Sequence, residues 1–590
     1  MQLTRRNGAF VLSAKNYTLT FAHDRPFVYL SGPQGRRLAE IFVLSSVHPL
    51  HGRDDTTSVG TWQVTETPQE IVFTLSAESS VWNSKTYRFR CQPNRLLYDI
   101  EVAGQGRLAE ANYFGGYYSG QIRWGSGFFW SGQHFRQGFN PEPNTAEINH
   151  FYPENGVSID LTGVPLPGRG SWFFTPPPFC FAFQIGNDWL GLGVEAGSGE
   201  KRFTEFSYHG RIEGFYLSLS YEGHTTVNDA YRLPAIGIDF GTDELDVLSS
   251  HVRVLSEGVV LEEHHSARPA WWQEPIFCGW GAQCFLAAKD DQGLPSPTLS
   301  EQKHQAQAYA TQANYEAFLD KLGQNGIAPG TITIDDKWQA GYGDNRVDEK
   351  KWRDLPGFVK RQHAAGRRVL LWLKAWDRED VPPDECITNA RGLPLTVDPT
   401  NPAYERRLRA SVRRMLSADG YDADGFKIDF SARIPSGPGI CTFGDVWGLE
   451  LMKLLLRIIY EEAKATKPDA LIITHTAHPY LADVLDMIRL NDANVGKNIV
   501  GAMTHRARIA AIACPGALID TDNWPITDKA TWREYLLAQP RLGVPSLYFS
   551  HGIDSTLEPF NGDDYRLIRE TWARYRLKLA QNQEEAIKSP

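Results

Sequence analysis

The chain has 590 residues, a net charge of −10 and a globular composition with 42% hydrophobic and 22% charged residues. This acidic balance argues against a nucleic acid or an anionic membrane as partner, since either would require a basic face. One hydrophobic core rarely exceeds about 250–300 residues, so we expect more than one domain.

The sequence contains no apolar run of about 18 residues, so we expect no membrane span. The N-terminal segment has only a short apolar stretch at 9–12, which predicts no signal peptide. The seven cysteines are scattered and odd in number, which favours reduced thiols and a cytoplasmic location. Cys278 and Cys284 lack the spacing of a zinc site, and we expect neither a metal nor an organic cofactor.

Up to about residue 265, short apolar runs alternate with turn signals, which predicts an antiparallel β-sandwich over residues 1–268. The clearest runs are 27–30, 70–75, 86–90 and 96–102. An aromatic and glycine-rich stretch at 112–130 and a Pro-rich segment up to 178 are interpreted in two ways: loops that line a pocket of the neighbouring domain, or aromatic strands of the sandwich core.

After residue 270, strand-like runs alternate with helical patterns, which predicts a (β/α)8 TIM barrel over residues 269–590. The predicted strands are Phe277–Gly281, Thr331–Asp336, Val369–Trp376, Gly425–Phe430, Leu471–Thr476, Met487–Asp492, Ala517–Asp522 and Ser546–Ser550. The clearest helices are Asn314–Leu322, Pro402–Leu416, Trp447–Ala465 and Tyr565–Leu579. A doubly wound open sheet is the alternative, but no Gly-rich phosphate turn follows the first strand.

Barrel enzymes carry their active sites at the carboxyl ends of the strands, and here several of those ends are acidic. Their polar and aromatic residues are Asp335, Asp336, Trp338, Lys374, Trp376, Lys427, Asp429, Arg489, Asp492, Asp520, Asp522 and Trp524. Carboxylates among tryptophans, without metal-ligating histidines, are what cleavage of a glycosidic bond requires.

The nucleophile of such a reaction must stay ionised. Lys427 stands two residues before Asp429 on the same face of the strand, so its ammonium is expected to lower the pKa of Asp429. We therefore expect Asp429 to be the nucleophile, while Asp492, Asp520 and Asp522 all qualify by position as the acid.

Structural roles compete with these functional ones. Lys427 and Asp429 could form an internal ion pair, and the acids after strands two and seven could cap helices. Trp338 and Trp524 could be packing residues. His475 and His478 are expected to hydrogen-bond a sugar hydroxyl or their surroundings, because i, i+3 spacing alone gives weak support for a metal site.

The strand-end motifs resemble those of clan D retaining α-glycosidases, glycoside hydrolase families 31 and 36. Asp424-Gly425-Phe426-Lys427-Ile428-Asp429-Phe430 resembles the family 31 nucleophile segment, and Ile334-Asp335-Asp336-Lys337-Trp338 is similar to the Asp-Asp-Gly-Trp segment of family 36 α-galactosidases. The resemblance implies Asp429 as nucleophile, Asp492 as acid/base, and Asp335 and Asp336 as ligands of a terminal galactose.

From these residues we expect an exo-acting retaining α-glycoside hydrolase, α-galactosidase-like, that acts through a glycosyl-aspartate intermediate. The sugar is expected to lie against Lys427 and to stack on Trp338 or Trp376; the other expected substrate-binding residues are Lys374, Arg489, Asp522 and Trp524. Alternatives are an α-glucosidase, an α-xylosidase or another family 31-type α-glycosidase, a transglycosylase, a non-catalytic carbohydrate-binding barrel and a metal-dependent hydrolase. A homo-oligomer is also possible.

Overall fold

The computed structural model describes most of the chain. The described residues are 1–6, 8–23, 26–118, 129–130, 135–139, 150–151, 159–161, 176–197, 199–211, 214–257, 268–291, 305–431, 434–490 and 498–588. Much of the predicted aromatic and Pro-rich segment between residues 112 and 178 lies outside them, so neither interpretation of it is tested.

The N-terminal region forms antiparallel sheets, as the alternating apolar pattern predicts. Its strands are β1 (Gln2–Arg6), β2 (Ala9–Ser13), β3 (Thr18–Phe21), β4 (Phe27–Ser31), β5 (Arg37–Phe42), β6 (Ser46–Pro49), β7 (Asp55–Val59), β8 (Gln63–Glu66), β9 (Ile71–Ser79), β10 (Ser84–Cys91), β11 (Leu96–Ala103), β12 (Gly106–Tyr113), β13 (Tyr117–Tyr118), β14 (Phe129–Trp130), β15 (Phe135–Phe139), β16 (His150–Phe151), β17 (Ile159–Leu161), β18 (Cys180–Ile185), β19 (Asp188–Glu195), β20 (Glu205–Arg211), β21 (Gly214–Val227), β22 (Ala230–Arg232) and β23 (Ala235–Gly241).

Three sheets account for the described strands of this region. The order β1-β2-β3-β4-β5-β14 makes the first, β7-β9-β10-β11-β23-β19-β18 forms the middle of the second, and β17-β20-β21-β12-β6 makes the third. In β10, buried and half-buried residues alternate, which places every second side chain in the core between sheets. The predicted sandwich architecture is therefore confirmed.

A parallel eight-stranded barrel follows, and each of the eight predicted strands is found. Its strands, called here the first to eighth barrel strands, are β24 (Ile276–Cys278), β25 (Thr331–Ile334), β26 (Arg368–Lys374), β29 (Gly425–Asp429), β31 (Leu471–Thr474), β32 (Met487–Arg489), β33 (Leu518–Asp520) and β34 (Ser546–Leu547). β34 pairs with β24, and a parallel bridge between Asp520 and Val544 joins the remaining edges, so the sheet closes on itself.

Helices surround the barrel and one packs on the sandwich. They are α1 (Glu244–Glu257), α2 (Trp280–Asp290), α3 (Gln312–Gln324), α4 (Leu355–Ala364), α5 (Pro402–Leu416), α6 (Gly448–Thr466), α7 (Ile499–Ala513), α8 (Lys529–Leu542) and α9 (Gly562–Lys588), with short 3-10 helices at Ala270–Gln273, Gln307–Tyr309, Pro383–Glu385 and Pro479–Val484. A small sheet of β27 (Cys386–Asn389), β28 (Pro394–Val397) and β30 (Ile440–Cys441) is inserted after the third and fourth barrel strands.

The predicted helix Pro402–Leu416 is found as α5, and its local sequence explains where it begins. Asn401 caps its N-terminus by accepting a hydrogen bond from the Ala403 amide at 2.9 Å, and Pro402 occupies the first turn. Its buried residues recur at helical spacing, and the helix packs against α6. Among the described residues, no helix is both long and apolar enough to cross a membrane.

Candidate active site

Asp429 ends the fourth barrel strand and is the predicted residue with the most developed set of contacts. Its Oδ1 atom accepts from the Phe430 amide at 3.0 Å and from Arg489 Nη2 at 3.1 Å, and it lies 3.3 Å from His475 Nε2. Its Oδ2 atom accepts from the Trp372 indole at 3.1 Å. The side chain keeps 14% of its surface exposed, so the carboxylate is held from several sides yet reachable.

These contacts favour the ionised form of Asp429. Burial alone would raise its pKa, but the Arg489 guanidinium, His475 and, less strongly, Lys427 hold the pKa well below its ordinary value. A carboxylate that stays ionised at a barrel mouth has the state that a nucleophile needs.

Lys427 acts on Asp429 through its charge, as expected, but makes its direct ion pair with Asp335. Its ammonium donates to Asp335 Oδ2 at 2.7 Å rather than to Asp429, and the pair is buried. Burial alone would lower the pKa of Lys427, but the charge of Asp335 raises it above its ordinary value. The second and fourth strands both point side chains into the barrel interior, where alternate strands share a layer, and this brings the two residues together.

The two adjacent aspartates of the second strand end have different surroundings. Asp335 is 2% exposed, and it also accepts from Cys278 Sγ at 3.0 Å. Asp336 is half-buried and accepts from Gln307 Nε2 and the Tyr342 hydroxyl, each at 2.7 Å. Burial raises the pKa of Asp336 to about 6.

Arg489 links the nucleophile candidate to the seventh strand end. It donates to Asp522 Oδ2 at 2.5 Å as well as to Asp429. Asp522 is fully buried, and burial raises its pKa to about 6 against the opposing charge of Arg489. Asp520 is 3% exposed and its pKa is also raised by burial, so neither alternative acid reaches the surface of the mouth.

The predicted tryptophans are all largely buried. Trp338 is fully buried and donates its indole N–H to the Trp372 carbonyl at 2.8 Å, which makes it a packing residue and corrects the expectation that it stacks on a sugar. Trp376 is 5% exposed and donates to the Ser431 carbonyl at 2.8 Å. Trp524 is 7% exposed and donates to Asp554 Oδ2 at 2.8 Å.

Lys374 lies beside Asp429 on the neighbouring strand, in register with it. Its ammonium pairs with Asp377 at 2.8 Å and lies 4.2 Å from the centre of the Tyr342 ring. A cavity of about 760 Å³ opens here, with Lys374, Trp376 and Arg378 in its wall. Its size is that of a small-molecule site.

The predicted acid/base, Asp492, follows the sixth barrel strand and lies outside the described residues. Its assignment stays a prediction. In the described part of the chain, no three His, Cys, Asp or Glu side chains are arranged to hold a metal ion.

Three side-chain contacts of the nucleophile candidate were not predicted from sequence, and the first of them is that of Arg489, which was expected to bind substrate. His475 was assigned to a sugar hydroxyl or its surroundings, yet its ring contacts Asp429. Trp372, on the third barrel strand, is not among the predicted site residues, yet its indole donates to Asp429. The Trp372 contact could have been found from two signals: the alternation of side chains along the third barrel strand and the parallel pairing of that strand with the fourth.

Neither a protein-family model nor a curated protein matches this sequence. Solved structures do match it. A GH31 family sulfoquinovosidase from E. rectale, in complex with an aza-sugar inhibitor, aligns with 97% of this chain and 82% of its own at 14% identity and a TM-score of 0.58. The α-galactosidase from Lactobacillus brevis aligns with 96% of this chain and 83% of its own at 10% identity and a TM-score of 0.52.

A GH31 dextranase from Flavobacterium johnsoniae, complexed with isomaltotriose, aligns with 98% of this chain and 68% of its own at 10% identity and a TM-score of 0.52. At these identities the likeness defines the fold. The chain has the sandwich-and-barrel fold of GH31 glycosidases and of an α-galactosidase, and the predicted resemblance to clan D is thereby confirmed for the fold.

Proposed function

We propose that this protein is an exo-acting retaining α-glycoside hydrolase in which Asp429 is the nucleophile. The observation that carries the proposal is the environment of Asp429, whose carboxylate is kept ionised by Arg489 and His475 at the carboxyl end of a barrel strand. The fold likeness to enzymes that act on glycosides supports the same class.

The proposed reaction is a double displacement. Asp429 attacks the anomeric carbon while an acid protonates the leaving oxygen, and water then releases the sugar with the same acid acting as base. Asp492 is proposed for the acid/base role on its resemblance to the clan D residue. The proposed reaction requires no metal or organic cofactor.

For the substrate we propose a terminal α-galactoside first. The adjacent Asp335 and Asp336 of the second strand end support it, because a second carboxylate can accept from an axial hydroxyl. Asp336 is the better placed of the two, since it is half-buried, whereas Asp335 is 2% exposed and pairs with the Lys427 ammonium. A sugar of gluco or xylo configuration, or transfer to another sugar, remains within the same mechanism.

The substrate class is tested with nitrophenyl glycosides of α-galactose, α-glucose, α-xylose and α-N-acetylgalactosamine. We expect release from the galactoside above the other three. Release from another member keeps the mechanism and replaces the substrate, whereas no release from any sugar, with simple sugars still binding, supports a non-catalytic carbohydrate-binding barrel.

The nucleophile is tested by Asp429→Ala, which should lower kcat/KM on the order of 10⁴-fold or more because the covalent intermediate cannot form. Added azide should then restore turnover and give the β-glycosyl azide, since azide takes the place of the missing carboxylate. Asp419→Ala removes an exposed carboxylate of a turn outside the site and should leave the rate unchanged. An Asp429→Ala protein that retains wild-type activity would contradict the proposal.

A further inference from the structure

We propose that Asp429 attacks through its Oδ2 atom and that the Trp372 indole N–H, bonded to that oxygen, controls release of the sugar from the enzyme. This inference rests on the proposed glycosidase function. It assigns to Trp372 an action on a reacting atom, and to Trp338 the role of a positioning residue.

The two oxygens of Asp429 are not equivalent. Oδ1 faces three groups, the Phe430 amide, Arg489 and His475, at 3.0, 3.1 and 3.3 Å. Among the described residues, Oδ2 accepts only from Trp372 Nε1, at 3.1 Å. A carboxylate oxygen has two lone pairs, so the three partners occupy Oδ1 whereas Oδ2 keeps one lone pair for the anomeric carbon.

The indole that contacts Oδ2 is held in place. Trp372 is 2% exposed, and its carbonyl accepts from the Trp338 indole at 2.8 Å. Its ring packs against Tyr342 and Phe430 with centroids 5.8 and 6.3 Å away. The N–H is therefore aimed at Oδ2 before a substrate arrives, and it reorganises little during reaction.

The N–H affects the two chemical steps in opposite ways. In the first step Oδ2 forms a bond to the anomeric carbon, and the bond to the leaving oxygen breaks with its electron pair as that oxygen takes a proton from the acid. The negative charge on Oδ2 decreases, so a donor that favours the charged oxygen does not assist.

In the second step water forms the new bond to the anomeric carbon and gives its proton to the base. The Oδ2 bond breaks, and its electron pair returns to the carboxylate. Negative charge now grows on Oδ2, and the Trp372 N–H stabilises it. Trp372 therefore accelerates release of the sugar rather than its capture.

Trp372→Phe keeps an aromatic ring and removes the N–H. We expect kcat to fall about 10- to 100-fold, the effect of losing one hydrogen bond to a charged group. KM should fall with it because the glycosyl-enzyme accumulates, and kcat/KM, which reports the first step, should change less than about threefold. A burst of nitrophenolate approaching one equivalent per active site should precede the slow steady state.

Trp272→Phe is the matched control. Trp272 is also buried, and its indole N–H donates to the Asp469 carbonyl at 2.9 Å, just before the first barrel strand and away from the mouth. It should show neither the burst nor the fall in KM. A Trp372→Phe protein in which kcat falls at constant KM, without a burst, would overturn the proposal, because misfolding or loss of active protein gives that pattern.

A second measurement is independent of catalysis. The indole resonance of Trp372 in ¹⁵N-tryptophan-labelled protein, assigned by its absence in Trp372→Phe, should shift in Asp429→Asn because its acceptor loses a full charge. An unchanged resonance would mean that the contact does not exist and would overturn the inference by itself. If the resonance shifts in Asp429→Asn but the wild-type protein cleaves no sugar, the contact exists and the proposed function is refuted. The role of Trp372 in sugar release is then refuted with it.

Discussion

Asp335 and Asp336 are adjacent in sequence, yet their carboxylates have different partners. Asp335 is matched by the Lys427 ammonium at 2.7 Å, whereas Asp336 has two neutral donors, Gln307 and Tyr342. Neutral donors compensate burial less than a charge does, so the pKa of Asp336 rises to about 6. Asp336 thus changes its charge in a pH range in which Asp429 stays ionised.

This shift makes stability depend on pH. A carboxyl group whose pKa is raised by folding binds its proton more tightly in the folded state, so the protein loses stability as pH rises from about 4 to about 6. Asp336→Asn removes that contribution, and the variant should gain Tm relative to wild type by about 1–3 °C between pH 4 and pH 7. Asp522, which titrates in the same range, is present in both proteins and cancels.

The comparison needs thermal melts of both proteins at several pH values. Asp419→Asn, an exposed carboxylate of a turn, should show a difference from wild type that does not vary with pH. A constant difference for Asp336→Asn as well would mean that the Asp336 carboxyl titrates at its ordinary pKa.

Individual site residues were predictable where the local pattern decides their position. Strand alternation places Lys427 and Asp429 on one face and brings Lys374 level with Asp429. The Lys427–Asp335 pair was not predictable, because it crosses the barrel interior between strands that are not neighbours. The sequence left Trp338 open between packing and stacking on a sugar, since a tryptophan after a strand end can point outward or into the core.

At the scale of elements, α6 is fixed to the sandwich through its N-terminus. The Leu449 and Glu450 amides, which have no partner within a helix, donate to the carbonyls of Phe203 and Lys201, each at 3.1 Å. The Glu450 carboxylate accepts in return from the amides of Gly199 and Lys201 at 3.0 and 3.1 Å. A loop of the sandwich thereby caps a barrel helix.

This capping requires a glycine at the first helix position. Gly448 has φ 63°, and a Cβ atom there would lie 2.4 Å from the Phe203 carbonyl oxygen. Gly448→Ala should therefore destabilise the protein by about 2 kcal/mol or more, through backbone strain and displacement of the loop. Differential scanning calorimetry should record a lower Tm.

Gly323→Ala in α3 provides the control, because a Cβ atom there meets nothing within 4 Å. That substitution should leave Tm unchanged or raise it, since glycine in a helix costs about 0.5–1 kcal/mol relative to alanine. Equal effects of the two substitutions would argue against the capping role of the sandwich loop.

At the scale of the whole molecule, the barrel was the more predictable half. Its buried strands are continuous apolar runs separated by helical patterns, so each of the eight could be located from sequence alone. The order of the sandwich strands was not predictable, because antiparallel strands pair across long connections, as β12 does with β6 and β21. The proposed boundary at residue 268 stays a prediction.

The sandwich and the barrel contact each other beside the N-terminus of α6. The His224 ring of the sandwich stacks on Trp447 of the barrel with centroids 3.6 Å apart, and its Nε2 atom lies 3.0 Å from the Gly437 carbonyl oxygen. The Arg202 guanidinium donates to the Asp445 carbonyl at 2.8 Å beside it. These contacts add to the capping of α6, so sandwich and barrel should unfold as one cooperative unit.

His224→Ala removes the ring that covers Trp447 and should weaken this coupling. We expect calorimetry to show the single transition of the wild type broadening or dividing into two, with the first at lower temperature, because the interface then contributes less than each core. His209→Ala is matched to it: the His209 ring also stacks on an aromatic ring, Tyr216, at 4.6 Å, but both residues belong to the sandwich. This control should lower Tm without dividing the transition, whereas the same profile in both variants would contradict coupling through the His224–Trp447 contact.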